Sequence, residues 1–313
     1  MNIGLDMMGG DFAPLETVQG VQLYLSESIL PANLFLIGDE ARINLLLHEN
    51  SVTSPQVTVV HASQIIDMHD HPTKALKEKT QSSIAIGFQL LASGKIDAFI
   101  SAGNTGAMLV GALFSVKAFP GVLRPTIATV IPKENGGTGL LLDVGLNSDC
   151  KPENLSQFAV LGSLYAQHIL DINSPRVALL NIGEEEGKGN ILAQSSHPLL
   201  KANQAIHFVG NIEGRDVFLD KADVMVCDGF TGNVVLKLAE SIYGITQRKQ
   251  IKHEYLDRFN FEVYGGTPVL GLSRPVMIGH GISHGLAFCN MIKLSQKMID
   301  IDLMGKMKSS FLD

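Results

Sequence analysis

This sequence predicts an α/β protein with a mainly parallel, buried sheet. Three observations support that class. Short runs rich in Val, Ile and Leu recur along the chain, helical patterns separate most of them, and six of the runs stop at loops of Gly, Asn and Asp.

The strands are expected at 2–6 ("NIGLD"), 34–38 ("LFLIG"), 57–61 ("VTVVH"), 97–101 ("DAFIS"), 126–131 ("TIATVI"), 139–143 ("GLLLD"), 176–181 ("RVALLN"), 206–210 ("IHFVG") and 224–227 ("VMVC"). One helix is expected over 153–170, where Leu155, Phe158, Ala159, Gly162, Tyr165, Ala166 and Ile169 fall at three- and four-residue steps. Leu161 and Leu164 widen its apolar surface, as in a helix covered on several sides. A second helix, over 106–118 ("GAMLVGALFSVKA"), is apolar most of the way round. Both need more cover than one sheet face gives, which predicts a homodimer.

At 313 residues the chain can bury a sizeable core, as one large domain or two coupled halves. With no Pro-, Gly- or Ser-rich linker and no repeat, one domain over 1–313 is expected. Hydrophobic content of 45% with 18% charged residues argues against disorder. The formal charge of −7 argues against a general nucleic-acid binder. Cys150, Cys227 and Cys289 are far apart and form no C-x-x-C, so neither a disulfide framework nor a zinc ribbon is expected. "MNIGLDMMGG" lacks the pattern of a secretory leader, and no apolar run approaches ~20 residues. A cytoplasmic protein is expected.

In a parallel sheet all carboxyl ends lie on one edge, and open α/β sheets bind ligands in the crevice outside that edge. The six loops begin at Asp6, Ser101, Asp143, Asn181, Gly210 and Asp228, so they are expected to face one another around one active site. Glycine lets backbone N–H groups approach a ligand, and helix N-termini after the loops, as at Asn104 and Phe230, present donors to anions. Phosphate is the natural anion. The fourth loop, "NIGEEEGKGN" over 181–190, sets Lys188 between Gly187 and Gly189 after three glutamates. It reads either as a solvated surface turn or as a lysine held out to meet an anion.

The chain resembles the bacterial phosphate acyltransferases of phospholipid synthesis. The matching pieces are "DMMGGDFAP" (6–14), "SAGNTGA" (101–107), "DVGLN" (143–147), "NIGEEEGKGN" (181–190), "GNIEGRD" (210–216) and "CDGFTGNVVLK" (227–237), in family order over nearly the full chain. The resemblance implies transfer of a fatty acyl group from acyl carrier protein to inorganic phosphate. It also implies a homodimeric three-layer α/β/α fold like that of phosphotransacetylases and isocitrate dehydrogenases, no metal or nucleotide cofactor, and peripheral contact with the inner membrane face. The chain departs from the family pattern at Met7 and Phe12, and at "HGISHG" over 280–285.

An acyl phosphate is an activated anhydride, so its donor must be a comparably activated thioester, and phosphate is already an anionic nucleophile. The site must hold phosphate beside a carbonyl carbon and stabilise the developing oxyanion. Lys188 is the candidate for phosphate positioning, and Asn233 the oxyanion donor. Candidates for substrate or phosphate binding are Asp6, Gly9, Gly10, Gly103, Asn104, Thr105, Gly106, Asp143, Asn147, Arg215 and Asp228. Asn104 is equally a helix cap, and Arg215 equally a salt-bridge partner of Glu213 or Asp216.

Other features have plainer readings. Cys227 is a packed strand-end cysteine rather than an acyl acceptor. His280 and His284 have a metal-ligand interval but are flanked by glycines and lack an acidic partner at fitting spacing, and "MHDH" at 68–71 is a polar turn. The alternatives are a coenzyme A-dependent short-chain phosphotransacylase, a dehydrogenase of the isocitrate-like fold and a non-enzymatic adaptor. Around 238–264, Ile242, Tyr243, Ile245 and Ile251 lie close to Arg248, Lys249 and Lys252, which suits either an anionic lipid surface or a dimer contact.

Overall fold

The computed structural model describes residues 1–311. In chain order the strands are β1 (Asn2–Asp6), β2 (Asn33–Gly38), β3 (Val57–His61), β4 (Ala98–Ser101), β5 (Thr126–Pro132), β6 (Thr138–Leu142), β7 (Arg176–Asn181), β8 (His207–Glu213), β9 (Val224–Val226), β10 (Thr267–Leu270) and β11 (Val276–Ile278). The helices are α1 (Leu15–Glu27), α2 (Glu40–Glu49), α3 (Pro72–Glu78), α4 (Ser83–Ala92), α5 (Thr105–Gly111), α6 (Pro152–His168), α7 (Ile191–Ala202), α8 (Gly229–Lys249), α9 (Glu254–Asp257), α10 (Gly285–Asp300) and α11 (Leu303–Ser309). They gather into two compact units.

The first unit comprises Met1–Ala118 and Phe261–Met304. Its strands run in the order β3-β2-β1-β4-β11-β10. Ile3 of β1 sits opposite Leu34 of β2 and Ala98 of β4, both in parallel register. β11 adds to β4 in parallel, and only β10 runs antiparallel. The central strands are buried on both faces, which is why β1 and β4 read as continuous apolar runs rather than alternating ones. Helix α4 starts at the cap Ser82, whose hydroxyl accepts from the Ala85 N–H, and lies so close to the sheet that a side chain at Gly87 would meet the Phe99 ring at 2.2 Å.

The second unit comprises Phe119–Asn260 and the stretch from Gly305. Its strands run β5-β6-β9-β7-β8. β6, β9, β7 and β8 pair in parallel, with an irregularity between Val177 and Leu179. β5 and β6 form an antiparallel hairpin with Ala128 opposite Leu142. Helix α6 buries Leu155, Phe158, Ala159, Leu161, Tyr165 and Ala166 against α7 and the sheet. At the amino-end side, the nearly inaccessible Lys133 ammonium lies 2.6 Å from Asp223 and 2.9 Å from Asp220, while Arg176 Nε binds Asp223 at 2.9 Å.

All nine expected strands are present. β10 and β11 escape the sequence pattern: β10 carries Pro268, a residue that argues against a strand, and the two are short segments separated by the turn residues Gly271, Ser273 and Pro275. The helix expected over 106–118 is α-helical only to Gly111, then widens into a π-type turn ending before Lys117, whose φ is 64°. Phe114 on that turn is 76% exposed, whereas α6, expected to seek a partner chain for cover, finds it inside its own unit.

Candidate active site

Because β6, β9, β7 and β8 are parallel, the loops after all four share one edge of the second unit. The loop after β6 is organised by Asp143. Its Oδ1 accepts from the N–H groups of Ile127, Gly145 and Leu146 at 3.1–3.3 Å, and its Oδ2 from the Asn147 backbone and side chain, both at 2.7 Å. Asn147 also donates to the Pro125 carbonyl at 2.8 Å. Burial pushes the Asp143 carboxyl above its ordinary range, and the Asn147 and loop donors pull the other way. Both side chains are spent on shaping the loop.

Helix α8 begins against this loop. Asp228 caps it, accepting from Thr231 N and Oγ1, both at 2.9 Å. Gly232 then passes so near the chain that a Cβ would stand 1.8 Å from the Asp143 carbonyl oxygen. One turn in, exposed Asn233 donates one amide N–H to the Val144 carbonyl at 3.0 Å. That bond fixes the orientation of the amide, and the second N–H remains for a ligand.

The loop after β7 is held by hydrogen bonds to the backbone of Glu185 and Lys188 and by two glutamate ion pairs, and the Lys188 side chain extends from it. Asn181 donates to the Lys188 carbonyl at 3.0 Å, Lys188 N–H donates to the Glu185 carbonyl at 3.1 Å, and Asn211 reaches the same carbonyl at 2.9 Å. Gly189 has φ +97°, and a side chain there would collide with Asn181 Oδ1 at 2.3 Å. Glu184 pairs with Lys221 and Glu186 with Lys201. Among the described residues the exposed Lys188 ammonium has no carboxylate at ion-pair distance. Arg215, after β8, pairs with Glu213 at 2.6 Å.

Between the β7 and β9 loops a pocket of about 240 Å³ opens beside α6 and α7. Cys227 forms part of its wall, 2% exposed, its thiol donating to the Asp143 carbonyl. Burial pushes this thiol well above its ordinary range, so it stays protonated and is a poor nucleophile.

In the first unit the loops after β1, β4 and β11 share an edge. Asp6 is buried, accepts from Ser101 Oγ at 2.6 Å and from the Met8 N–H at 3.0 Å, and is raised in pKa by burial against those bonds. Ser101 Oγ accepts in turn from Gly103 N–H at 2.9 Å, and a Cβ on Gly9 would stand 2.6 Å from that nitrogen. Gly10 takes φ +109° where Asp11 N–H binds the Gly281 carbonyl at 2.7 Å, which ties in the 280–285 loop. Asn104 caps α5 through Ala107 N–H at 2.9 Å and donates to the carbonyls of Asp67, Met68 and Asp70, with Thr105 exposed and Gly106 against Pro72 behind it. His280 packs on Phe261, while His284 stacks on Phe12 and meets Glu16. Among the described residues no group of three or more His, Cys, Asp or Glu gathers as a metal site.

The structure thus divides the six loops, two in the first unit and four in the second, and corrects one of them: β8 runs on through Gly210 to Glu213, so the loop expected from Gly210 begins only at Gly214. It brings Lys188, Asn233, Asp228, Asp143 and Asn147 to one edge. Sequence reasoning passed over Ser101, which organises the Asp6 cluster, although it stands in the quoted "SAGNTGA". It also passed over the pocket-lining Leu155, Leu192 and Ala193, which carry no signal beyond helical apolarity.

The family model for a fatty acid synthesis protein matches residues 1–306. The chain belongs to this family. Relatives named phosphate acyltransferase include those of Dictyoglomus turgidum, 40% identical over 97% of this chain and 95% of that one, and Aquifex aeolicus, 42% identical over 98% and 96%. That of Halothermothrix orenii is 41% identical over 98% of both. Among solved structures, a phosphotransacetylase from Streptococcus pyogenes superposes with a TM-score of 0.68 at 18% identity, covering 96% of this chain and 94% of that one. A branched-chain phosphotransacylase from Enterococcus faecalis gives 0.64 at 17%, covering 95% and 99%. At such identities the likeness shows the fold alone: the family member shares the mainly parallel sheet with flanking helices of those enzymes.

Proposed function

We propose that this chain transfers a fatty acyl group from the thioester of acyl carrier protein to inorganic phosphate, giving an acyl phosphate for phospholipid synthesis. The observation that carries the reading is the match over nearly the whole chain, at about 40% identity, to relatives named phosphate acyltransferase. Lys188, without an ion-pair partner among the described residues and placed at the carboxyl-end edge of the second unit's parallel strands, fits it. A phosphate oxygen attacks the thioester carbonyl carbon, forming the C–O bond while charge develops on the carbonyl oxygen. Collapse of that intermediate breaks the C–S bond, and the carrier thiolate leaves and takes a proton from solvent.

Lys188 neutralises and positions phosphate, and Gly189 lets its loop close on the ligand. Asn233 offers its second amide N–H to the oxyanion, pre-oriented by Val144. Of the remaining candidates, Arg215 offers its fork to an anion that displaces Glu213, and the others act through backbone and loop shape: Asp143, Asn147 and Asp228 hold the loops of the second unit, and Asp6, Gly9, Gly10, Gly103, Asn104, Thr105 and Gly106 form loops of the first. The buried, protonated Cys227 fits a direct attack by phosphate, without an acyl-enzyme.

The test is phosphate-dependent release of free carrier thiol from acyl carrier protein, with acyl phosphate as the second product. Release without phosphate, or none with it, would refute the reading. We further propose a cytoplasmic homodimer that touches the membrane reversibly. No helix of the described residues is long and apolar enough to cross a membrane. Exposed Leu238, Ile245 and Ile251 lie in the same segment as exposed Arg248, Lys249 and Lys252, a pairing that favours an anionic lipid surface. Light scattering at micromolar concentration tests the dimer: a monomer mass contradicts it.

A further inference from the structure

We infer that the pocket beside the Lys188 loop holds the hydrocarbon chain of the acyl donor, and that Leu192 and Ala193 set the chain length it accepts. This rests on the acyl-transfer reading above. The depth of the pocket is apolar: Leu155 of α6, Leu179 and Leu180 of β7, Leu192 and Ala193 of α7, and the Cys227 thiol. A cavity of roughly 150 Å³ with such a lining stays dry and admits benzene. At about 240 Å³ this pocket has room for a longer hydrocarbon segment, and it is far larger than the voids left by ordinary core packing.

The oxygen acceptors at its mouth are already engaged, and the Asn190 amide N–H groups sit on an exposed residue at the rim. Asn190 Oδ1 caps α7 through Ala193 N–H at 2.8 Å, Asn181 bonds Ile182 N–H and the Lys188 carbonyl, and both Asp228 oxygens serve Thr231. A polar occupant, such as the amide-bearing arm of a carrier, would find no free partner in the depth and would lose its own hydration. A hydrocarbon loses nothing. The mouth borders Gly189, next to Lys188, and Thr231, two residues before Asn233. A thioester held at that mouth therefore points its methylenes inward, each adding roughly fourfold to affinity until the pocket is full.

Two substitutions act in opposite senses. Ala193→Leu fills the pocket from α7, and Leu192→Ala enlarges it. Two readouts are used on the purified full chain: calorimetric binding of butyrate and decanoate, which needs no catalysis, and thiol release from carrier-protein donors from acetyl to palmitoyl.

The unmodified chain is expected to bind decanoate at least tenfold more tightly than butyrate. Ala193→Leu is expected to abolish that difference and move the optimum donor to shorter chains, and Leu192→Ala to move it to longer ones. Equal binding of the two acids, or a chain-length profile that neither variant moves, overturns the subsite while leaving acyl transfer intact. Chain-length-dependent binding lost in Ala193→Leu, with no donor turned over, sustains the subsite and refutes the transfer. Thermal unfolding checks that the variants fold. If Ala193→Leu does not, the direction of the Leu192→Ala shift decides.

Discussion

Lys188 is exposed, on a loop and, among the described residues, without an ion-pair partner, so Lys188→Ala is expected to leave the fold intact and its effect to read out chemistry. Turnover at saturating donor is expected to require much higher phosphate. Unchanged rates at every phosphate concentration would remove the lysine from the mechanism. Asn233→Ala deletes the proposed oxyanion donor, and turnover is expected to fall by roughly 10² to 10³ with the phosphate dependence little altered. Near-parental turnover, with the chemical step shown to limit the rate, would assign the asparagine to the Val144 contact only.

At the scale of the element, α8 links the two ends of its segment. Its first turn must press on the β6 loop, where a Cβ at Gly232 would lie 1.8 Å from backbone oxygen, well inside any tolerable contact. Gly232→Ala is therefore expected to displace the α8 start and cost on the order of 1 to 3 kcal/mol, as overpacking does. A melting temperature and activity equal to the parent would show that the approach is not needed. The far end of α8 stops where Gln250 turns left-handed, φ 54°. Beyond it, Ile251 and Lys252 continue the mixed apolar and cationic surface. Vesicle co-sedimentation is expected to show salt-sensitive binding to anionic lipid, weakened when Ile242 and Ile245 are both changed to Ser. Equal pelleting with neutral lipid and by the variant, or none at low salt, would free this segment of any membrane role.

At the scale of the molecule, the second unit is closed on its amino-end side by the Lys133, Arg176, Asp220 and Asp223 network. Burial alone would raise the Asp223 carboxyl, but the hydrogen bonds from Arg176 and Lys133 outweigh it and hold it well below the usual carboxylate range. Asp220 is held low by the same two cations. A depressed carboxyl contributes stability that is present above its unfolded pKa, near 4, and is lost as pH falls toward its folded value. Unfolding free energy should therefore decline below about pH 4 to 5, and Asp223→Asn should flatten that decline. An acid profile unchanged by the substitution would contradict the linkage. Lys133→Met leaves the buried Asp223 with Arg176 as its remaining cation and is expected to cost roughly 3 kcal/mol, the lower end for a broken buried pair, by urea unfolding.

Nine of the strands, helix α6, the order of the loops and the chemistry they suit could be read from the sequence, because buried parallel strands write continuous apolar runs and strand-to-ligand loops write Gly, Asn and Asp. The sequence also marked Lys188, since a lone cation between glycines is a local pattern. What the tertiary structure alone decided is which of those groups are free. Asn147 and Asn104 look like ligand-binding residues in sequence, yet in the fold their amides answer the Pro125 and Asp67 carbonyls, distant partners a linear pattern cannot name, whereas the pairing of Arg215 with Glu213 was one of the two readings the sequence offered. The strands β10 and β11 became visible only where β4 and β11 pair across a gap of well over a hundred residues. The apolar pocket likewise exists only because α6, β7, α7 and β9 meet there. Each of its leucines is an ordinary core residue in sequence, and a cavity is a property of what their packing leaves unfilled.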